Sequence, residues 1–174
     1  MKIQIKKLIF LPTLIKIYKL QNKLVFNLNK QFILISIPND INIKRQGIFL
    51  IIEFPIGNIN NNTWYILVKN IINGIARNFI QRLQLKGVGF KAALTKLDNI
   101  ELKIGYSHII NHQILFGTNV EISKNVLIQI KSPLKNLVGQ EAVNIQKFRF
   151  PDIYKGKGIV YKGEKLILKI GKKA

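Results

Sequence analysis

The chain has 174 residues, with 28 Lys and Arg against 8 Asp and Glu, a net charge of +20, and an apolar share of 48%. The apolar share supports a folded core and argues against wholesale disorder, and the length suits one large domain or two small ones. No cysteine is present, which excludes disulfides and thiolate metal sites; two histidines are too few for a histidine cage, so neither metal nor cofactor is expected.

A charge this one-sided opposes compaction unless a polyanion neutralises it. Nucleic acid is the first candidate partner and an anionic membrane surface the second. Ile, Lys and Asn are abundant while Arg is scarce. That bias is the mark of an AT-rich genome, so part of the charge reflects composition and not selection for binding.

Residues 1–39 contain no acidic residue but carry Lys2, Lys6, Lys7, Lys16, Lys19, Lys23 and Lys30. The uncharged run from Leu8 to Ile15 is far too short to span a bilayer. Neither a secretory signal nor an Arg- and Ser-rich presequence is legible. Residues 1–36 therefore read as a basic extension with strand character around Leu24–Ile37, or as a poorly ordered tail.

From Ile37 the pattern becomes regular. Ile41, Ile43 and then Ile48–Phe54 predict two strands around a turn at Arg45-Gln46-Gly47. FPIGNINNN (54–62) reads as a loop, and Thr63 as the N-cap of a helix from Trp64 to about Phe79. Trp64, Leu67, Val68, Ile71, Ile72, Ile75 and Phe79 recur at three- and four-residue steps, the stripe of a helix packed on a sheet.

Beyond it, QRLQLKGVGFKAAL (81–94) is a strand pattern in which Gly87 and Gly89 imply a bulge or a close backbone approach. Strict alternation at Ile100, Leu102 and Ile104, then at Val120 and Ile122, then across 127–130, predicts further antiparallel strands. Ser132-Pro133 reads as N-cap and N1 of a second helix to about Phe148, burying Leu137, Val138, Ala142, Ile145 and Phe148. A last strand is expected over Lys165–Ile170. Segments 37–54 and 116–132 share a strand, turn, strand pattern followed by a loop and a helix, which argues for two related α+β units in tandem, meeting near Asn78–Arg82.

The segment PDIYKGKGIVYK (151–162) combines Lys155 and Lys157 with Gly156 and Gly158, and flanks them with Tyr154 and Tyr161. Ammonium groups beside unencumbered peptide N–H groups suit a row of phosphates, and flat rings suit sugars or bases. A solvated basic loop fits the same residues. The run lacks the G-x-x-x-x-G-K-[ST] spacing of a nucleotide-binding loop. No nucleophile, base or metal set is legible, so no enzyme and no catalytic residue is expected. From Lys147 to the end, nine basic residues face two acidic ones.

These residues resemble the universal large-subunit ribosomal protein six family. Pro151, Asp152, Tyr154, Lys155, Gly156, Lys157, Gly158 and Ile159 match its signature, and LQLKGVGFKA (83–92), IGYSHIINHQI (104–114) and LVGQEAVNIQKFR (137–149) resemble its other blocks in the same order. The likeness covers about residues 64–174. The opening strands resemble the family less well. Only NINNN stands where bacterial-type members have more strand, so the first domain reads as shortened.

The resemblance implies an α+β protein of two tandem domains, each an antiparallel sheet packed on one helix: a basic extension over 1–36, a shortened domain over 37–80, and a main RNA-binding domain over 81–174. It implies a structural constituent of the large ribosomal subunit that binds large-subunit rRNA near the sarcin–ricin loop. Partners would be neighbouring ribosomal proteins, with translational GTPases nearby, and no membrane insertion. Candidate rRNA contacts are Tyr154, Lys155, Gly156, Lys157, Gly158, Lys162, Arg149, Lys147, Lys172 and Lys173, with Lys86, Gly87, Gly89 and Lys91 as a second contact or simply a bulged strand.

Val160 stands where the family often has Arg, and Phe150 and Gln146 replace frequent basic positions. His108 and His112 match an S-H-x-x-x-H turn, read as structural or RNA-packing since neither has a clear carboxylate partner in sequence. Composition, extension and a bacterial-like core together suggest a mitochondrial ribosome; a plastid or an AT-rich bacterium gives a similar picture.

Overall fold

Alternating apolar residues build the first part of the chain into strands. In the computed structural model, which describes residues 4–12, 15–20, 23–28, 31–38, 40–55, 60–95 and 98–171, the chain divides into two units, Met1–Asn78 and Phe79–Ala174. Strands β1 (Gln4–Phe10), β2 (Lys16–Leu20), β3 (Lys23–Leu28), β4 (Gln31–Ser36), β5 (Asn42–Gln46) and β6 (Phe49–Pro55) precede helix α1 (Asn60–Ala76).

β5 and β6 form the hairpin expected around Gly47, whose φ of +59° a glycine adopts without strain. β1 pairs along the other edge of β6 from Gln4–Pro55 to Phe10–Phe49, giving the order β1-β6-β5. The segment read as an extension thus supplies strands of the first unit and the third strand of this sheet. Leu50, Ile52 and Phe54 on the central strand are almost fully buried, each contributing roughly 1.5–3 kcal/mol of apolar burial. The buried carboxylate of Glu53 lies 3.6 Å from Lys6 Nζ and 3.4 Å from Lys44 Nζ, so the flanking strands neutralise it.

A second sheet, β2-β3-β4, comes from the strand-rich part of the segment, where Leu24–Ile37 forms two strands. α1 contacts β3 and buries Val68, Ile71, Ile72 and Ile75 of the expected stripe, while Trp64 is only partly buried and Leu67 is exposed. It starts earlier than Thr63, taking in Asn60–Asn62. It also ends at Ala76, with Arg77 N donating to Asn73 O. Phe79 continues the helical spacing, yet it opens a strand, because sheet pairing opposite Ser132 wins over helix extension.

The second unit holds β7 (Phe79–Lys86), β8 (Lys91–Leu94), β9 (Asn99–Lys103), β10 (Ile110–Gln113), β11 (Asn119–Ser123), β12 (Leu127–Ser132), α2 (Lys135–Lys147) and β13 (Gly158–Tyr161). Two sheets form, β11-β12-β7-β13 and β8-β9-β10, with antiparallel ladders throughout. Leu83, Leu85, Ile100, Leu102, Ile128, Ile130, Ala142, Ile145 and Ile159 join in one core between the sheets and α2.

Gly87 and Gly89 are not in a bulge. They sit in the turn between β7 and β8, which belong to different sheets, and Phe90 N donates back to Gly87 O at 3.3 Å. A Cβ at Gly87 would lie 2.9 Å from the Phe90 ring, so the close approach is by a ring tucked under the turn. The cap of α2 also differs. Leu134 is the N-cap, while Ser132 is buried, donating its hydroxyl to Gly117 O and accepting from Leu134 N.

The last strand lies at 158–161, inside the glycine-lysine segment, and 165–170 is irregular. β7 offers its free edge to Gly158–Tyr161 directly after the loop. Leu166 and Leu168 instead lie near Gly156, and Ile167 and Ile170 remain 92% exposed. Among the described residues, two helices and antiparallel sheets in two units make this an α+β fold.

Candidate nucleic-acid interface

The loop between α2 and β13 is shaped by its own backbone. Asp152 begins a tight turn: its N–H donates to Lys157 O, and its carbonyl accepts from Gly156 N, both at 2.9 Å. Its carboxylate accepts from Lys155 N at 3.0 Å and Tyr154 N at 3.3 Å. Those amides, Lys155 first and Tyr154 next, hold the carboxyl of Asp152 below its ordinary value of 3.8. Proline followed by aspartate and then glycine is a legible signal for such a turn.

The two glycines serve the fold of this loop. Gly156 has φ +66°, and Gly158 passes so close to the preceding chain that a Cβ would meet Phe150 O and Pro151 Cα at 2.6 Å. Both are buried. The backbone that exploits the missing Cβ is therefore the chain's own, and the N–H groups of Tyr154, Lys155 and Gly156 are already engaged. What points outward is the cationic and aromatic set: Lys155 and Lys157 are exposed, as is Tyr154 at 58%.

β13 brings the second candidate cluster to this loop. Gly158 is the register partner of Lys86, and Ile159 of Leu85. The turn of Gly87 and Gly89 therefore continues from the strand that carries the glycine-lysine loop. Lys86 and Lys91 are exposed, and so is Lys162, whose N–H donates to Arg82 O. Lys147 is exposed at the end of α2. Among the described residues none of Lys86, Lys91, Lys147, Lys155, Lys157 and Lys162 forms an ion pair. Lys172 and Lys173 lie outside the described residues.

Arg149 is placed differently. Its Nη1 donates to Ile104 O at 2.8 Å, and its guanidinium lies 5.4 Å from the Phe90 ring centre and 5.1 Å from that of Tyr106. It is a pin between the 87–90 turn, the 104–106 turn and the loop, with Nη1 directed inward. Val160 is fully buried, so this position carries no outward contact.

His112 has a partner that sequence reasoning missed. Its Nε2 lies 2.9 Å from Oε1 of Glu141, a fully buried carboxylate on α2, and its ring meets Phe148 edge-on at 5.4 Å. Twenty-nine residues separate the two, so only the packing of α2 on β10 pairs them. His108 is exposed and stacked with Tyr106 at 6.3 Å. Tyr161 is half-buried. Burial pushes its phenol up, and the charge of Glu164, which accepts from Tyr161 N, adds to this. Both acidic residues after Lys147 thus accept from backbone amides, and among the described residues neither forms an ion pair with a lysine of this surface.

The family described as "Ribosomal protein L6" matches residues 86–162. This is the stretch from the second candidate cluster through the loop to β13. Residues 86–162 thus fall within the ribosomal protein L6 family. The "Large ribosomal subunit protein uL6" of Campylobacter concisus is 44% identical over 110 residues, which cover 63% of this chain and 61% of that protein. The "Large ribosomal subunit protein uL6c" of Phaeodactylum tricornutum is 45% identical over 108 residues, covering 62% and 60%. The uL6 of Bordetella pertussis is 39% identical over 116 residues, covering 67% and 65%. The chain thus spans about three-fifths of the length of these L6 relatives. Among the described residues, no helix is long and apolar enough to cross a membrane, and no cluster of three metal-binding side chains occurs.

Proposed function

We propose that the chain is a structural constituent of the large ribosomal subunit that grips large-subunit rRNA by phosphate contacts. The observation that carries this reading is the loop 151–158, in which Gly156 and Gly158 are buried and the Asp152 carboxylate is taken up by backbone amides while Lys155, Lys157 and Tyr154 face solvent. Lys86, Lys91, Lys147 and Lys162 extend the cationic surface, and Lys172 and Lys173 belong to the same proposal. Gly87, Gly89, Gly156 and Gly158 shape the turns, and Arg149 holds them together. Cations carried on a hydrogen-bonded backbone suit shape and phosphate recognition of folded RNA, and such a loop loses less backbone entropy on binding than an unstructured one would.

The relatives' names place them in the large subunit. The finer reading puts this chain near the sarcin–ricin loop and the factor-binding region, with ribosomal proteins as neighbours and translational GTPases close by, in a mitochondrial ribosome. Support for the last point is the Ile-, Lys- and Asn-rich composition and the acid-free first 39 residues. Sucrose-gradient fractionation of mitochondrial lysate tests it: the chain should co-sediment with the large subunit, and its absence from that peak overturns the assignment. The double variant Lys155→Glu/Lys157→Glu should fail to enter particles. Its normal incorporation would remove the phosphate-clamp reading.

A further inference from the structure

The β2-β3-β4 sheet is apolar on both faces. Its registers align Ile17, Phe26 and Ile33 in one row and Tyr18, Val25 and Leu34 in the next, on the opposite face. On the first face Leu24 and Phe26 are 1% and 0% exposed, so it is packed within its unit. On the second, Tyr18, Leu20, Phe32 and Leu34 stand 50–63% exposed around Val25. A contiguous patch of aromatic and aliphatic groups of this kind marks an interaction site on a soluble protein. The sheet lies outside residues 86–162, and the rRNA reading makes no use of it.

The charges on this face say what covers it. Lys16 aligns with Asn27 and Phe32, and Lys23 with Leu20 and Ser36, so two exposed ammonium groups border the apolar centre. No acidic residue occurs before Asp40. We propose that this face docks a different protein, one that presents an apolar centre bordered by carboxylates. Burial of the apolar groups supplies the affinity, and the lysine border selects the partner. A second copy of this chain would set the same lysines against one another with no carboxylate between them. RNA would satisfy Lys16 and Lys23 but would set phosphates against Leu20 and Leu34, which gain nothing from them.

The test places a photoreactive benzophenone side chain at position 34 of the full chain and irradiates the native complexes that contain it. The expected result is one main cross-link to a protein, on an apolar peptide flanked by Asp or Glu. With the reporter moved to position 18, Phe32→Asp/Leu34→Asp should lower the yield about tenfold or more, the loss typical of removing central anchors. Because both side chains are exposed, its melting temperature should match the parent chain. If that variant melts lower, Lys16→Glu/Lys23→Glu carries the test through exposed cations alone, and an unchanged yield overturns the proposal. Cross-links to RNA, to a second copy or to a basic peptide, or none at all, overturn it too.

Discussion

Gly158 passes beneath Phe150 so closely that a methyl group on its Cα would stand 2.6 Å from the Phe150 carbonyl oxygen. This contact sets the path by which the chain leaves α2 and enters β13. Backbone cannot yield as a side-chain tip can, so Gly158→Ala should lower stability by at least about 2 kcal/mol. Gly89→Ala is the comparison: its φ is +78° but no atom lies within 4 Å, so strain alone should cost about 1 kcal/mol. Thermal melts of the two variants check the order, and equal losses would sink the steric argument.

Asp152 should make the loop acid-sensitive. Its carboxyl is lowered from 3.8 by the Lys155 and Tyr154 amides, so its contribution is complete above the unfolded value and is lost as pH falls through the lower folded value. The amide resonances of Lys155 and Tyr154 should therefore titrate below pH 3.8, while β12 amides stay fixed. Asp152→Ala should abolish that titration.

Arg149 and Lys155 are both basic residues of the loop region, and their variants should part company. Lys155→Gln should weaken RNA binding and reduce the slope of log affinity against log salt by about 0.7–0.9. Arg149→Lys should leave that slope nearly unchanged and cost about 1–2 kcal/mol in stability, because the guanidinium is held between Phe90 and Tyr106. Filter binding across a salt series, with melts alongside, separates the two.

Glu141 should matter for stability although it touches no ligand. Glu141→Ala leaves a cavity and removes the partner of His112, a loss of roughly 2–5 kcal/mol, while Glu141→Gln keeps the shape and should lose less. Denaturant midpoints give the comparison. An Ala variant as stable as the parent would mean that the pair contributes nothing.

The family likeness, the fold class and a tight turn within 151–158 were legible in the sequence because they rest on local signals. Apolar alternation marks strands, the stripe at Val68, Ile71, Ile72 and Ile75 marks a helix, and the proline, glycine and lysine spacing marks the loop. What each residue of the loop does depends on neighbours distant in the chain, and only the tertiary structure decided it. Gly158 is tied to Phe150, Lys86 comes beside it through β7–β13 pairing, Arg149 is captured by two rings, and Glu141 meets His112. The first 36 residues show the same division. Strand tendency was read only around Leu24–Ile37, whereas β1 and β2 were not anticipated, and pairing of β1 along β6 is a long-range choice that no periodicity encodes. Sequence periodicity tells which face of an element is apolar; packing decides which partner covers it.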